Sequence, residues 1–464
     1  MMIERPNIVL FLTDDHGAWA NGCYGNCEAH TPTIDALAAA GTRFAKAYTP
    51  TPVCSPARVC LLSGKTASQV GIHDWLEEAM PEIRQRDWLG GTRTLFDYLS
   101  GAGYHTGLSG KWHLGQSHLT PTGADYYFGL PGWQGAHNGA YTYIRNGEMV
   151  ELTGNKSRFI TDHAIEFLDT VPEDKPFFLN IGYIATHSPY RQQTHDPLQT
   201  ARYQDCPFAE IPPWDPHPWV KNEGGGNELN EGELRDRYIG YYASVTEIDD
   251  NVARVVDALK ERGHWENTVI IYTSDHGCAL GHNGFFGKGN STRPLNMYEV
   301  SLQVPLVISG AGVRAGVLEN YVDHYDSFRT ICELARLRAP ISEVNTGQSY
   351  APLLRGETIN WDNTRVGEYG DLRMIRDERW KLVYRYPAGP RDLFDLEADP
   401  LERRNLYEAR PEIAAELKRR MDAFYAQREV AELSGLRVKE QPAHNGRSEA
   451  WRDGVREARG LQIY

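Results

Sequence analysis

Short, nearly unbroken apolar runs alternate with amphipathic stretches through the first three-quarters of the chain. The run Ile8-Val9-Leu10-Phe11-Leu12 heads the series. Consecutive apolar residues suit a strand covered on both faces, as in a parallel sheet. Strand candidates are Ile8–Thr13, Tyr104–Ser109, Phe177–Tyr183, Thr268–Ser274 and Val304–Ser309. Helical patterns lie between them. Thr31-Pro32 reads as a helix start, with a capping residue and then proline in the first turn, and Ile34, Leu37 and Ala38 share one face behind it. The longest helix is expected over Glu233–Arg262. Its apolar residues, among them Tyr241, Val245, Ile248, Val252, Val255 and Leu259, recur in steps of three and four. Strands alternating with helices make an α/β fold: a large, mainly parallel sheet sandwiched by helices.

From Ile184 to Gly232 the periodicity stops. Prolines, Trp214, Trp219 and Gly224-Gly225-Gly226 fill this stretch, which reads as an ordered loop of functional type. Beyond Trp361 the texture changes again. Arg365–Tyr369, Leu372–Arg376, Trp380–Arg385 and Asp392–Leu396 read as short strands joined by tight turns, and Glu412–Arg428 as a helix lying on them. The division predicts an α/β domain over residues 1–360. A smaller α+β unit over 361–464 would hold an antiparallel sheet, a helix and a tail. The charged tail beyond Ser434 carries no readable pattern.

Composition narrows the function. The chain has 464 residues, 48 Lys+Arg against 62 Asp+Glu, and a net charge of −14. That balance argues against nucleic acid, whose phosphates demand a basic face. It leaves room for a small anion, because a local cluster of cations can dominate a cleft. No apolar run approaches the roughly 18 residues of a membrane span. The first apolar run is short and Asp14-Asp15 follows at once, so it reads as a strand and not a signal peptide. The expectation is a cytoplasmic protein, the alternative a chain trimmed of its export signal. The 7 cysteines are sparse and odd in number, which excludes a disulfide scaffold.

Candidate chemistry gathers at predicted strand ends, where open α/β sheets bind their ligands. Asp14-Asp15 follows the first strand; adjacent carboxylates are costly unless a cation joins them. Asp275-His276 follows Thr268–Ser274 in the same relation. Three acids and an imidazole from two strand ends predict a divalent-cation site. Oxygen ligands favour Ca²⁺, while the imidazole leaves Mn²⁺ or Mg²⁺ open. In Cys54-Ser55-Pro56-Ala57-Arg58, Pro56 suits the first turn of a helix, placing Cys54 near the helix N-terminus beside Arg58. From the residues alone, Cys54 is a nucleophile, a metal ligand or an apolar filler. Lys111, His113, His187 and Lys288 complete the set. Positive groups around a metal are what a sulfate or phosphate ester needs as charge moves onto its leaving oxygen.

Taken in order, these motifs resemble the type I, formylglycine-dependent sulfatases of the alkaline-phosphatase-like superfamily. The resemblance spans the chain: Asp14-Asp15, the C-S-P-A-R box with Leu61-Leu62-Ser63-Gly64 behind it, G-K-W-H-L-G around Lys111, and H-S-P at His187. It continues with S-D-H-G at Asp275, G-K-G at Lys288, and Asp392-Leu393-Phe394-Asp395-Leu396 leading into Asp399-Pro400. It implies a sulfuric ester hydrolase in which a formylglycine-generating or anaerobic maturase enzyme oxidises Cys54 to formylglycine. The hydrated aldehyde would attack sulfur and later release sulfate by elimination, so no water need attack sulfur. It also implies that Asp14, Asp15, Asp275 and His276 hold the metal with residue 54 beside it. Arg58 and Lys111 would hold the nucleophile and the sulfate, His113 would act as base on the diol, and His187 and Lys288 would serve the leaving oxygen.

Specificity is expected in loops at the sheet edge. Asp74, Trp75, Trp133, His137, Tyr190, the Trp214–Trp219 segment, His282 and Asn283 are the candidates. Tryptophan and tyrosine faces suit sugar rings, so a small sulfated carbohydrate is the expected substrate, with aryl or alkyl sulfates as alternatives. The rival activity is phosphonate or phosphate monoester hydrolysis within the same superfamily. Ser55 favours the sulfatase, since phosphonate hydrolases more often carry Gly there.

Overall fold

A computed structural model describes residues 5–132, 135, 137–220, 229–337 and 346–446. A sheet of 10 strands runs through the molecule. In chain order its first eight are β1 (Asn7–Thr13), β2 (Thr42–Tyr48), β3 (His105–Gly110), β4 (Tyr126–Gly129), β5 (Asn138–Arg145), β6 (Glu148–Asn155), β7 (Phe177–Gly182) and β8 (Thr268–Ser274). A short hairpin, β9 (Ala279–Leu280) and β10 (Phe286–Gly287), stands apart; β11 (Leu306–Gly310) and β12 (Gly316–Asp323) rejoin the sheet. The spatial order is β12-β2-β11-β8-β1-β7-β3-β4-β5-β6. Its middle, β8-β1-β7-β3-β4, is parallel throughout.

Alternation along β1 shows how the layers are built. Ile8, Leu10 and Leu12 enter one buried cluster, and Val9 and Phe11 enter the other. Successive side chains of a strand face opposite ways, so an all-apolar strand must be covered twice. One cover includes the Cys54–Ser63 helix, the other the long Glu231–Glu261 helix. Asn230 and Glu233 form a capping box at the start of that long helix.

The sequence expectation differs from the structure at the flanks. The run at Val304–Ser309 does form a strand, but β11 lies antiparallel to β8 and β2. The β5–β6 hairpin, absent from the prediction, closes on Asn146-Gly147, both with positive φ. An Asn-Gly pair is a strong hairpin signal. The flanking strands are half-exposed, so their apolar content is thin. Within the expected loop, the run Gly224-Gly225-Gly226 lies outside the described residues. Among the described residues no helix is long and apolar enough to cross a membrane.

The C-terminal part forms a separate antiparallel sheet: β13 (Arg365–Tyr369), β14 (Leu372–Arg376), β15 (Trp380–Arg385) and β16 (Arg391–Asp395). Ile375, Leu382 and Leu393 face the Pro411–Ala426 helix, meeting Leu417 and Met421. Met374 and Val383 face the large sheet's side, against Val53, Leu295 and Met297. Arg376 and Lys381 sit opposite each other in register, and both reach Glu299. Lys381 also meets Glu402 at 2.7 Å, with its side chain 0 % exposed. Removing one member of a buried ion network strands the others. Lys381→Ala should therefore lower stability by about 3–5 kcal/mol in urea denaturation. A loss near zero would show the network to be energetically idle.

Candidate active site

Register assembles the site. Thr13 pairs with Ser274, Leu12 with Gly182, and Gly182 with Gly110, so four parallel strands end at one level. Asp14, Asp275 and Lys111, each the next residue on its strand, emerge side by side. The Asp275 amide donates to the Thr13 carbonyl at 3.0 Å, and the Lys111 amide to Gly182 at 2.8 Å. Gly110 has φ +112°, and a Cβ there would lie 2.1 Å from the Gly182 carbonyl oxygen. Only glycine permits that approach.

Asp15 has φ +58°, in the left-handed region that few non-glycine residues occupy. Its carbonyl is held by Tyr241 Oη at 3.0 Å and Thr186 Oγ1 at 2.6 Å. The turn sends the Asp15 carboxylate back towards Asp14. Cys54 opens the Cys54–Ser63 helix, with Val53 extended as its cap and Pro56 in the first turn. Its sulfur lies 3.2 Å from Asp14 Oδ1, 3.0 Å from Lys288 Nζ and 3.4 Å from His276 Nε2.

Three buried carboxylates meet three cations here. Lys111 pairs with Asp14. Lys288 Nζ lies 2.5 Å from Asp15 Oδ1. Arg58 Nε donates to Asp275 Oδ2 at 2.9 Å, with both side chains 0 % exposed. Burial pushes the Asp14 carboxyl upward, but Lys111, His187, Lys288 and Arg58 outweigh it and hold it well below the usual range. Burial likewise disfavours charge on Lys288, yet Asp15 and its neighbours keep that amine well above its ordinary value. Burial, with Asp14 adding to it, pushes the Cys54 thiol up to about 12. An unmodified thiol here is a poor nucleophile at neutral pH.

Donor atoms of Asp14, Asp15, Cys54 and His276 all lie within 4.8 Å of one another. His276 Nδ1 donates to the Gly277 carbonyl at 2.9 Å, which leaves Nε2 facing the carboxylates, 3.2 Å from Asp15 Oδ1 and 3.3 Å from Asp275 Oδ1. A dense carboxylate set with an oriented imidazole fits a divalent cation.

The remaining groups surround this cluster. His113 (φ +60°) donates from Nε2 to the Leu76 carbonyl at 2.9 Å; its Nδ1 is buried with no hydrogen-bond partner among the described residues. Burial first, then Lys111 and Arg58, hold its pKa well below the usual imidazole range, so the ring is neutral. His187 Nδ1 donates to the Ser188 carbonyl at 2.9 Å. Burial lowers its pKa, opposed by Asp15.

The specificity candidates scatter. Tyr190 donates to Asp15 Oδ2 at 3.3 Å, and His137 donates to the His187 carbonyl at 2.8 Å, so both brace the cluster. The Asp74 carboxylate is taken up by Tyr369 Oη (2.8 Å) and Asn445 Nδ2 (3.0 Å). Trp75 packs in the cluster between the two sheets. Trp133 lies outside the described residues. His282 and Asn283 line a different cleft of about 1420 Å³ with Trp19, Trp219 and Tyr407, and neither Cys54 nor Lys111 lies in its walls. Sequence reasoning missed Tyr241, Thr186 and His324, whose Nε2 donates to the Asp275 carbonyl at 2.8 Å. Thr186 adjoins the H-S-P motif, yet like Tyr241 and His324 it acts on backbone atoms of a distant segment, which no spacing along the chain records.

A carboxylate cluster ringed by cations at the carboxyl edge of a parallel sheet suits a hydrolase of anionic esters. Residues 6–337 match the family profile described as Sulfatase, and 281–427 match N-sulphoglucosamine sulphohydrolase, C-terminal. The chain belongs to the sulfatase family of the alkaline-phosphatase-like superfamily and is a sulfuric ester hydrolase. It is 27 % identical over 460 residues to the choline-sulfatase of Rhizobium meliloti, covering 88 % of this chain and 83 % of that one. It is 26 % identical to the N-acetylglucosamine-6-O-sulfatase of Bacteroides thetaiotaomicron (87 % and 83 % covered). To the N-acetylgalactosamine-6-sulfatase of Rattus norvegicus it is 30 % identical (77 % and 67 % covered). In fold it is similar to a protein solved with its substrate D-glucosamine-2-N,6-O-disulfate, at TM-score 0.76 and 23 % identity, with 91 % of this chain and 98 % of that one covered. The phosphonate monoester hydrolase of Agrobacterium radiobacter shares the fold at TM-score 0.69 and 21 % identity, with 91 % and 96 % covered.

Proposed function

We propose that the protein hydrolyses the sulfate monoester of a small carbohydrate, with residue 54 acting as formylglycine made from Cys54 by a maturation enzyme. The observation that carries this reading is the seat of Cys54: buried, at a helix N-terminus, within 3.4 Å of Asp14, His276 and Lys288. A plain thiol is mute there, whereas a hydrated aldehyde would supply a nucleophilic oxygen. Asp14, Asp15, Asp275 and His276 would hold the divalent cation, Ca²⁺ by preference for oxygen ligands, which supplies positive charge to the ester when bound.

The chain's own groups divide the remaining work. Arg58 and Lys111 bracket the sulfate and residue 54, and both are anchored by buried carboxylates, so they cost little reorganisation. His113 is neutral with Nδ1 unengaged, the state a base on the nucleophile requires. Lys288 and His187 serve the leaving oxygen. The sugar names among the sulfatase relatives support a carbohydrate substrate, and the choline-sulfatase keeps an alkyl sulfate as the second choice. We assign the catalytic unit to residues 1–360 and the supporting subdomain to 361–464.

Matched aryl esters sharing one leaving group test the reading directly. The enzyme should show higher kcat/KM on the sulfate; a preference for phosphate or phosphonate would overturn the assignment. His187→Ala should cost about 10²–10⁴-fold on an alkyl or sugar sulfate, and far less on an aryl sulfate with an acidic phenol. Equal losses on both would remove His187 from leaving-group protonation. Dialysis against a chelator should abolish turnover and Ca²⁺ should restore it. Recovery with Mn²⁺ or Mg²⁺ alone would reassign the ion.

A further inference from the structure

Near the C-terminus, His444-Asn445-Gly446 reaches back across the molecule to the loop after the Ala67–Val70 helix. His444 is 0 % and Asn445 4 % exposed, deep burial for a polar pair so late in a charged tail. Asn445 Nδ2 donates to Asp74 Oδ2 at 3.0 Å and to the Trp75 carbonyl at 3.3 Å. The His73 amide donates to His444 Nε2 at 3.0 Å, and the His444 ring lies 4.9 Å from Trp88. The Glu77 amide donates to the His444 carbonyl at 2.9 Å, and the Gly446 amide to Glu77 Oε2 at 2.9 Å. The tail thus holds residues 73, 74, 75 and 77, on both sides of Leu76.

Leu76 is where that grip meets the reaction centre. Its amide donates to Ser55 Oγ at 3.1 Å, and its carbonyl accepts from His113 Nε2 at 2.9 Å. Ser55 adjoins residue 54 in the first turn of its helix. The Leu76 carbonyl fixes which His113 nitrogen carries the proton and leaves Nδ1 unengaged. The two peptides flanking Leu76 each meet the tail at one end and the site at the other: one joins Asn445 to Ser55 through the Trp75 carbonyl and Leu76 amide, and the next joins the His444 carbonyl to His113 through the Glu77 amide and Leu76 carbonyl.

We propose that His444-Asn445-Gly446 is a positioning clasp for the sulfatase reaction, acting through Leu76 on His113 and Ser55. This rests on the role given above to His113. It extends the working machinery about 80 residues beyond the catalytic unit, into a tail whose sequence shows no chemistry.

The test compares chains ending at Gly446 and at Ala443 with the full-length Asn445→Ala variant, each with and without His113→Ala. Rates are expressed per aldehyde at residue 54, counted by peptide mass spectrometry, so a maturation defect does not pass for a kinetic one. The chain ending at Gly446 should stay within about twofold of the full chain. Ending at Ala443, or Asn445→Ala, should lower kcat about tenfold or more with KM nearly unchanged, the signature of a misplaced group. In the His113→Ala background the same changes should cost no more than about threefold, the part that acts through Ser55, because the base they position is gone. Equal losses in both backgrounds, or unchanged kcat in the Ala443 and Asn445→Ala forms, would overturn the clasp alone. Full activity in His113→Ala by itself would overturn the base assignment and the clasp with it. Asn445→Ala keeps the test open if the shorter chain fails to fold.

Discussion

Burying three carboxylates at one end of a sheet is the constraint on which this structure turns. An ionised group taken out of water unpaired costs several kcal/mol, and like charges in close contact raise that further. Asp14, Asp15 and Asp275 cannot avoid each other, because parallel register ends β1 and β8 at the same level. Lys111, Lys288 and Arg58 offset the cost, each on its own carboxylate. They come from the end of β3, the segment after β10 and the Cys54 helix. The sheet can therefore close only by bringing the cations to the acids. Three cations against three carboxylates bring this cluster to formal neutrality within a chain of net charge −14.

The C-terminal sheet is tied to the catalytic layers by polar contacts as well as apolar ones. Tyr369, at the end of β13, holds Asp74, and Lys381 on β15 is buried between Glu299 of the large sheet's side and Glu402 of its own unit. The small sheet has one face on its helix and one on the catalytic layers, so its apolar residues alternate between two interfaces. Its charged residues enter the seam because long cationic side chains there neutralise acids that water cannot reach.

The parallel strands β1, β7 and β8 were legible because both their faces are buried, which leaves a largely apolar run; β4, equally buried but only 4 residues long, was not. The C-terminal strands were legible by their short length and tight turns. The outer strands β5, β6 and β12 were not, since half of each faces water and their residues resemble loop sequence. Site residues divided the same way. Acids and bases directly after a core strand declared themselves by position. His282 and Asn283, chosen for their chemistry and not their place, lie in another cleft. Asp74, chosen as a contact for substrate, accepts hydrogen bonds from Tyr369 and Asn445, a role no spacing along the chain foretold.

By itself, the sequence determined the strand ends, the order of the motifs and the residue types available to them. Those are local properties: a run of apolar residues is a strand core wherever it sits, and a carboxylate after it is at an edge. Tertiary structure alone decided which of those groups meet. Depth of burial sets whether Cys54 is reactive as a thiol. A peptide carbonyl on Leu76 sets the tautomer of His113, and a tail hundreds of residues away holds that peptide. Such effects depend on distances between remote segments, and no pattern along the chain encodes them where they act.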